Sequence, residues 1–295
     1  MELIGNDKVR DILKQIISSN KIAHSYIFYG KQGIGKKAFA KAFAKKILCL
    51  NKTEECNSCK SCIQFEGENL PDFNIITPDG KSIKIDQIRN FLEKVYEKPI
   101  VSDRKVYIID DADLMTKEAQ NCLLKTLEEP PSFDTIILIV SNENKLLNTI
   151  KSRCITIPFS DLTYEDLNKY IKNNNLSIEN KKIVSRSNGS IKKMIHILEN
   201  EELYTKIDNI IDNLYSSSLI DILNNTEIFT KNKDIINDIL EYIIVIFYEK
   251  LQNCKDYEQD VKYINIIKIV EDTKQKILQN GNIDMCIDGM FMRII

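Results

Sequence analysis

The sequence predicts an α/β fold in which helices cover both faces of a parallel, five-stranded sheet, followed by an all-helical C-terminal region. Three observations predict it. Five short apolar segments alternate with helical patterns over the first 160 residues, a phosphate-loop motif links the first segment to its helix, and no strand pattern follows residue 158. With 295 residues, the chain is long enough for two or three domains.

A phosphate-loop motif follows the first predicted strand. Residues 26–29 form an apolar strand segment, residues 36–50 repeat apolar side chains as a buried helix face does, and residues 30–37 have the P-loop spacing G-x-x-x-x-G-K. The backbone N–H groups of such a loop bind phosphate oxygens. The motif continues with Ser or Thr, but Lys37 stands there. The candidate phosphate-binding residues are Gly30, Gly33, Gly35, Lys36 and Lys37.

Four cysteines lie close together after the P-loop helix. Cys49, Cys56, Cys59 and Cys62 have the spacing C-x6-C-x2-C-x2-C. Each C-x2-C turn directs two sulfurs at one ion, so the cluster predicts one structural zinc ion with four protein ligands. The alternatives are four unrelated thiols, a redox pair, or a zinc ribbon that contacts nucleic acid. Lys60 is the only basic residue within the C-x2-C-x2-C segment, which argues against the last alternative.

Two carboxylates follow the third predicted strand. A strand over 73–77 and a helix over 85–96 come first, and the apolar strand over 106–109 then ends at Asp110 and Asp111. After a P-loop this is the pattern of a Walker B element, in which the first acid holds Mg²⁺ and the second orients the attacking water. The second acid is usually Glu, and Asp111 is one methylene shorter.

The remaining strands complete the predicted sheet. A helix over 116–129 begins with a threonine N-cap and stops at two prolines. The strand over 135–140 is followed by Ser141 and Asn142, and either side chain is a candidate to sense a γ-phosphate. The fifth strand covers 155–159. In such sheets the nucleotide binds at the carboxyl ends of the strands.

Six motifs within about the first 160 residues form one recognisable combination. They are HSYIF at 24–28, the P-loop, the cysteine cluster, DDAD at 110–113, LLKTLEEPP at 123–131 and SRC at 152–154. In this combination the chain resembles the AAA+ clamp-loader subunits of bacterial DNA polymerase III. The resemblance implies an AAA+ P-loop domain and a role in the ATP-driven loading of a sliding clamp onto primed DNA. Beyond residue 160 the match is mainly in length and helical content.

The resemblance also implies roles for two basic residues. In this family the arginine of SRC enters the neighbouring subunit's ATP site as an arginine finger, which implies that role for Arg153. The alternative is that Arg153 forms only a surface salt bridge. A sensor arginine of the family's ATPases corresponds to Lys192, which lacks the bidentate guanidinium fork. Lys37, Asp111 and Lys192 together predict weak or absent ATP hydrolysis by the chain itself. The alternative is a catalytically active subunit of the gamma/tau type.

The same residues decide what is expected of cofactors. An ammonium about 4 Å from Mg²⁺ is repelled by several kcal/mol even at an effective dielectric constant near 20. Lys37 therefore argues against a bound Mg²⁺. Whether the loop binds ATP or ADP is not decided by these residues.

Helical patterns fill the C-terminal half of the chain. Short helices over 164–173, 178–187 and 190–199 predict a lid over the nucleotide, and longer helices over 203–215, 234–252, 260–280 and 283–295 predict a bundle. The expected domains are an AAA+ domain over 1–160, a lid over 161–202 and a helical domain over 203–295. On the sequence alone, this last domain fits an intramolecular bundle as well as an oligomer contact. The resemblance favours an oligomerisation collar.

Composition and resemblance together set the expected partners. A net charge of -2 argues against binding nucleic acid by bulk charge. The most apolar short run, 243–247, is far below the roughly 20 residues that span a bilayer, and no signal segment opens the chain, so a cytoplasmic protein is expected. The resemblance implies gamma/tau and delta subunits as partners in a hetero-pentamer, with the clamp and primer-template DNA contacted through that complex.

Overall fold

The computed structural model describes residues 3–52, 56–178, 180, 182–215 and 226–294. The chain divides into two compact units. The first unit is Met1–Asn175 together with Gly189–Lys192, and the second is Leu176–Asn188 together with Lys193–Ile295. The predicted division at residues 160 and 202 stays a prediction.

The first unit contains a five-stranded parallel sheet, which confirms the predicted fold class. Its strands are β1 Ser25–Tyr29, β2 Phe73–Ile76, β3 Lys105–Ile109, β4 Asp134–Val140 and β5 Ile155–Pro158. The order across the sheet is β2-β3-β4-β1-β5, and every neighbouring pair is parallel. Every residue of β3 and β4 is buried, as expected for central strands that are covered on both faces.

Helices cover both faces of this sheet. The helices of the first unit are α1 Asp7–Ser18, α2 Lys36–Leu48, α3 Lys60–Glu66, α4 Ile85–Val95, α5 Lys117–Glu128, α6 Asn148–Lys151 and α7 Tyr164–Asn173. Successive side chains of β1 point to opposite faces of the sheet, so they pack against different helices. Tyr26 and Phe28 contact the ring of Phe43 on α2, whereas Ile27 belongs to the apolar cluster that includes Phe91 of α4 and Leu123 of α5.

Parallel strands bring three chain segments to one edge of the sheet. Tyr29 pairs with Val140, and Ile109 pairs with Leu138, so the residues that follow β1, β3 and β4 meet at their carboxyl ends. The Gly30 N–H donates to the Val140 carbonyl at 3.2 Å, which fixes the start of the P-loop to this edge. The fold therefore positions the P-loop, the Walker B-like acids and Ser141 together.

The regular elements among the described residues of the second unit are all helices. Its helices are α8 Lys182–Arg186, α9 Ile191–Glu199, which begins in the first unit, α10 Glu201–Asp212, α11 Glu227–Lys231, α12 Ile236–Asn253, α13 Tyr257–Leu278 and α14 Ile283–Ile294. As predicted from its apolar sequence, α12 is largely buried and packs along α13. Arg186 is buried and donates to Asp208, Tyr242 and Glu249, which ties α8 to α10 and α12.

Several helix boundaries differ from the sequence expectation. Short helices α3, α6 and α11 were not predicted, since four to seven residues show little periodicity. The helix predicted over 260–280 begins earlier, at Tyr257, because the Asp256 side chain caps it by accepting from the Glu258 N–H at 3.1 Å. Residues 179, 181 and 295 of the predicted helices lie outside the described residues. Within the described ranges, the apolar length that a bilayer requires is not reached by any helix.

Candidate functional site

The P-loop joins β1 to α2 in a conformation that two glycines make accessible. Gly35 has φ 96° and occupies the N-cap position of α2, so the loop ends at a helix N-terminus as the motif predicts. Gly33 has φ 78°, and a Cβ atom built there would lie 2.3 Å from Ser190 Oγ and 2.5 Å from Lys192 Cβ. Glycine is therefore required at position 33 for two reasons: the positive φ angle, and the close approach of the chain segment that contains Ser190 and Lys192.

That segment, Gly189–Lys192, is hydrogen bonded to the P-loop. Ser190 Oγ donates to the Gln32 carbonyl at 2.9 Å, and the Ile191 N–H donates to the Gly33 carbonyl at 2.9 Å. Lys192 Nζ donates to Gln32 Oε1 at 3.3 Å. The residue at the family's second sensor position therefore contacts the loop, although it does so through the Gln32 side chain.

Lys36 lies inside the loop. Its side chain is buried, and Nζ donates to the Gly30 carbonyl at 2.5 Å, to the Lys31 carbonyl at 2.6 Å and to Ser141 Oγ at 3.3 Å. Burial lowers the pKa of Lys36 to about 8, and the nearby Asp carboxylates that follow β3 oppose this shift. A phosphate anion would strengthen the charged form of Lys36, so the ammonium is suited to an anionic ligand.

Lys37 forms an ion pair with the first Walker B-like acid. Lys37 Nζ lies 2.8 Å from Asp110 Oδ2, and the Asp110 side chain is only 16% exposed. In a magnesium site this carboxylate and a hydroxyl at position 37 would both face the metal. At 4 Å and an effective dielectric constant of 20, a dication and an ammonium repel each other by about 8 kcal/mol, twice the value for two unit charges. These residues do not fit Mg²⁺.

Asp111 has an uncommon backbone conformation and a perturbed pKa. It has φ 48°, a left-handed conformation that is uncommon for residues other than glycine. Burial, then the neighbouring carboxylates of Asp110 and Asp113, raise the pKa of Asp111, whereas a hydrogen bond with Gln32 lowers it. The net effect is a raised pKa, which makes the Asp111 carboxylate a weaker candidate for orienting a water molecule.

Three residues at this edge were not predicted as site residues. Asp113 is buried and accepts from the Ser141 N–H at 3.1 Å, which positions the Ser141 hydroxyl beside Lys36. Gln32 and Ser190 connect the loop to the 189–192 segment. The DDAD motif already included Asp113. Gln32, in contrast, is at a variable position of the P-loop motif, and Ser190 lies outside both motifs.

Arg153 lies at the opposite edge of the sheet. Tyr26 pairs with Ile155, so Arg153 precedes β5 at the amino-terminal end of β1, and Ser25 Oγ donates to its carbonyl at 2.9 Å. Five residues separate Ser25 from Gly30, roughly 16 Å at 3.3 Å per strand residue. The Arg153 guanidinium instead pairs with Glu128 at 2.7 Å and donates to the Thr149 carbonyl at 2.9 Å.

The four predicted zinc ligands come together. The sulfurs of Cys49, Cys56, Cys59 and Cys62 all lie within 4.8 Å of one another. Sulfurs about 2.3 Å from a tetrahedral zinc ion are about 3.8 Å apart, so the cluster fits this metal closely. The backbone N–H groups of Ser58 and Cys59 lower the pKa of Cys56 to about 6, which favours the thiolate that binds metal.

The local fold explains why the cysteines converge. Cys59 is the N-cap of α3, and its sulfur accepts from the Cys62 N–H at 3.4 Å, so the C-x2-C spacing becomes the first turn of a helix. Lys45 on α2 donates to Asn57 at 2.7 Å and to Glu66 at 2.5 Å, which joins both sides of the cluster to α2. All four donors are thiols, a set that is typical of structural zinc sites rather than of sites with an open ligand position.

Comparisons with known proteins agree on one group. A family model described as "DNA polymerase III, delta subunit" matches residues 5–163. DNA polymerase III subunit delta' of Bacillus subtilis is 35% identical over 66% of this chain, and the subunit delta' of Pseudomonas aeruginosa is 39% identical over 45%. DNA polymerase III subunit gamma/tau of Mycoplasma genitalium is 36% identical over 67% of the chain.

These matches cover the relatives only in part. The aligned segments span 60% of the Bacillus subtilis protein, 42% of the Pseudomonas aeruginosa protein and 34% of the Mycoplasma genitalium protein. A DNA polymerase III gamma-subunit-related protein from Thermotoga maritima has a similar fold, with a TM-score of 0.52 and 17% identity, over 96% of this chain and 98% of that one. The family-model match, over residues 5–163, lies within the first unit.

Proposed function

Because the chain belongs to the DNA polymerase III delta subunit family, we propose that it acts as a delta-prime-type subunit of a bacterial clamp loader. In this role it joins gamma/tau and delta subunits in a hetero-pentamer that loads the sliding clamp onto primed DNA. It supplies Arg153 to the ATP site of a neighbouring subunit and does not hydrolyse ATP itself. Zinc at the four cysteines holds the insert between α2 and β2 in shape.

The position of Arg153 carries this proposal. Its side chain lies at the amino-terminal edge of the sheet, whereas the chain's own P-loop follows the carboxyl end of β1. An arginine finger must contact the transferring phosphate. Arg153 is too far from its own loop to do so, which leaves the site of another subunit as its target.

Three features of the loop support the absence of hydrolysis. The ion pair of Lys37 with Asp110 opposes a divalent cation. Burial and the neighbouring carboxylates raise the pKa of Asp111. Lys192 contacts Gln32 and has no guanidinium with which to bind phosphate in a bidentate manner. Each feature removes a group that phosphoryl transfer uses: the metal, the water-orienting acid or the sensor.

A gamma/tau-type ATPase is the second candidate. It is favoured by the gamma/tau relatives and by the glycines and Lys36 of the loop, which keep the P-loop pattern. Steady-state hydrolysis by the purified chain with Mg²⁺ separates the two candidates, because the gamma/tau type hydrolyses ATP and the proposed type does not.

Replacement of Arg153 tests the proposal directly. In a loader reconstituted with the full chain, we expect Arg153→Ala to lower DNA-stimulated ATPase and clamp loading about tenfold or more, because an arginine finger contributes roughly 10³ to 10⁵ at its site. Arg89→Ala is the matched control, since Arg89 is an exposed helix arginine paired with Asp86. Unchanged ATPase and clamp loading with Arg153→Ala would refute the role in a neighbouring site.

A further inference from the structure

We propose that the P-loop of this chain binds the polyphosphate of a nucleoside di- or triphosphate without a divalent cation, with the Lys37 ammonium in place of Mg²⁺. The inference rests on the proposed function in that it takes the loop as a phosphate site without catalysis. It adds which cation balances the phosphate charge.

The first step concerns position. Residue 37 is where the P-loop motif places the hydroxyl that binds Mg²⁺, and Asp110 is the acid that faces the same metal from the end of β3. The two side chains are 2.8 Å apart, so an ammonium lies at the point toward which both metal-binding groups would be directed. This cation is part of the chain and is held in place by a carboxylate that is largely buried.

The second step concerns charge. The carboxylates of Asp110, Asp111 and Asp113 act electrostatically on Lys36, and Lys192 acts on Asp111. With Lys36, Lys37 and Lys192 the six groups balance as three carboxylates and three ammonium groups. With Ser or Thr at position 37 the same groups would carry a net negative charge, and a polyphosphate would need a divalent cation to approach them. Lys37 removes that need.

The third step concerns magnesium itself. Mg²⁺ in solution binds the phosphates of free nucleotide, and the resulting complex would bring its dication toward the Lys37 ammonium. Mg²⁺ therefore competes with the loop for the nucleotide. In a P-loop ATPase, Mg²⁺ has the opposite effect on nucleotide binding, because it bridges the nucleotide and the protein.

The test is equilibrium binding of fluorescent ADP and ATP analogues to the purified full chain, in excess EDTA and in millimolar MgCl₂. We expect the wild-type chain to bind in EDTA at least as tightly as in MgCl₂. Lys37→Thr, which restores the motif hydroxyl, is expected to bind about tenfold more weakly in EDTA and to gain affinity with MgCl₂. Lys41→Thr is the control, because Lys41 lies one turn later on α2 and faces Glu68 at 3.8 Å.

Three results would overturn the inference: wild-type binding that is tenfold tighter with Mg²⁺, no nucleotide binding in either solution, or a Lys37→Thr chain that binds as the wild type does. Circular dichroism shows whether Lys37→Thr folds. If it does not, the affinities of the wild-type chain in EDTA and in MgCl₂ alone decide whether binding requires Mg²⁺. The Arg153 experiment reads out a neighbouring subunit's site, so either hypothesis can fail while the other stands.

Discussion

Arg153 is paired with Glu128, the last residue of α5, at 2.7 Å between Nη2 and Oε1. The pair is partly exposed, and such pairs contribute about 0 to 1 kcal/mol. Within one subunit, the carboxylate therefore holds the guanidinium weakly. A phosphate group of a neighbouring site would compete with Glu128 for the same donors.

Removal of the Glu128 charge should release Arg153 at little cost to the fold. We expect Glu128→Gln to change the free energy of unfolding by less than about 1 kcal/mol and to leave loader ATPase unchanged or raised up to about fivefold. Glu129→Gln, at the adjacent exposed acid, is the control for a general charge effect. If Glu128→Gln lost ATPase as Arg153→Ala is expected to, Glu128 would be needed to position the arginine.

Replacement of Gly33 should disturb the contact between the P-loop and the 189–192 segment. Gly33 and Gly80 have φ 78° and 66°, but a Cβ atom would clash with Ser190 and Lys192 only at Gly33 and has no neighbour within 4 Å at Gly80. Both alanine substitutions carry about 1 to 2 kcal/mol of backbone strain. We expect urea unfolding to show a further loss of about 1 kcal/mol or more in Gly33→Ala. Equal losses would mean that the segment moves aside freely.

Asp134 should make the protein less stable as the pH rises toward neutrality. Its carboxylate is buried at the start of β4, neither oxygen has a hydrogen-bond partner among the described residues, and burial raises its pKa to about 7 despite Lys105 nearby. An acid with a raised folded-state pKa binds more protons folded than unfolded between pH 4 and 7, so stability falls over that range and stays reduced above it.

The neutral variant Asp134→Asn should remove this dependence. We expect it to exceed the wild type by about 2 to 4 kcal/mol at pH 8 and to match it near pH 4, measured by denaturant unfolding. Asp103→Asn is the control, because the Asp103 side chain is 78% exposed. A constant difference between Asp134→Asn and wild type at both pH values would contradict the assigned ionisation.

The cysteine cluster should hold one zinc ion that stabilises the first unit. We expect elemental analysis to find about one zinc per chain, and Cys62→Ser to lose it and lower the unfolding midpoint by at least about 5 °C. Cys254→Ser, in the second unit, should retain both metal and stability. A full zinc content in Cys62→Ser would exclude the four-cysteine site.

Most of the fold was accessible from the sequence, for physical reasons. Strands such as β3 and β4 are continuous apolar segments because both of their faces are buried, and the P-loop has a fixed spacing because its glycines and Lys36 each have a defined position around phosphate. The cysteine spacing likewise predicted a cluster that the structure confirms.

The contacts that decide the chemistry were less accessible. The sequence predicted that an ammonium at position 37 argues against a bound Mg²⁺. It did not predict the pair with Asp110, since the two residues meet only through the order of the strands. The contact of Ser190 with the loop joins segments far apart in sequence, and Gln32 occupies a position at which the P-loop motif accepts any residue. Helix α3 was not predicted because it has only seven residues and because its N-cap is Cys59, which is not among the usual capping residues.

The two ends of the parallel strands in the first unit carry different functional residues. A phosphate loop at one edge and Arg153 at the other make two unlike surfaces, and subunits that join through unlike surfaces assemble head to tail. In the proposed ring, this polarity would determine which neighbour supplies an arginine and which receives one. A subunit that supplies Arg153 without hydrolysing ATP itself would make one interface of that ring different from the others.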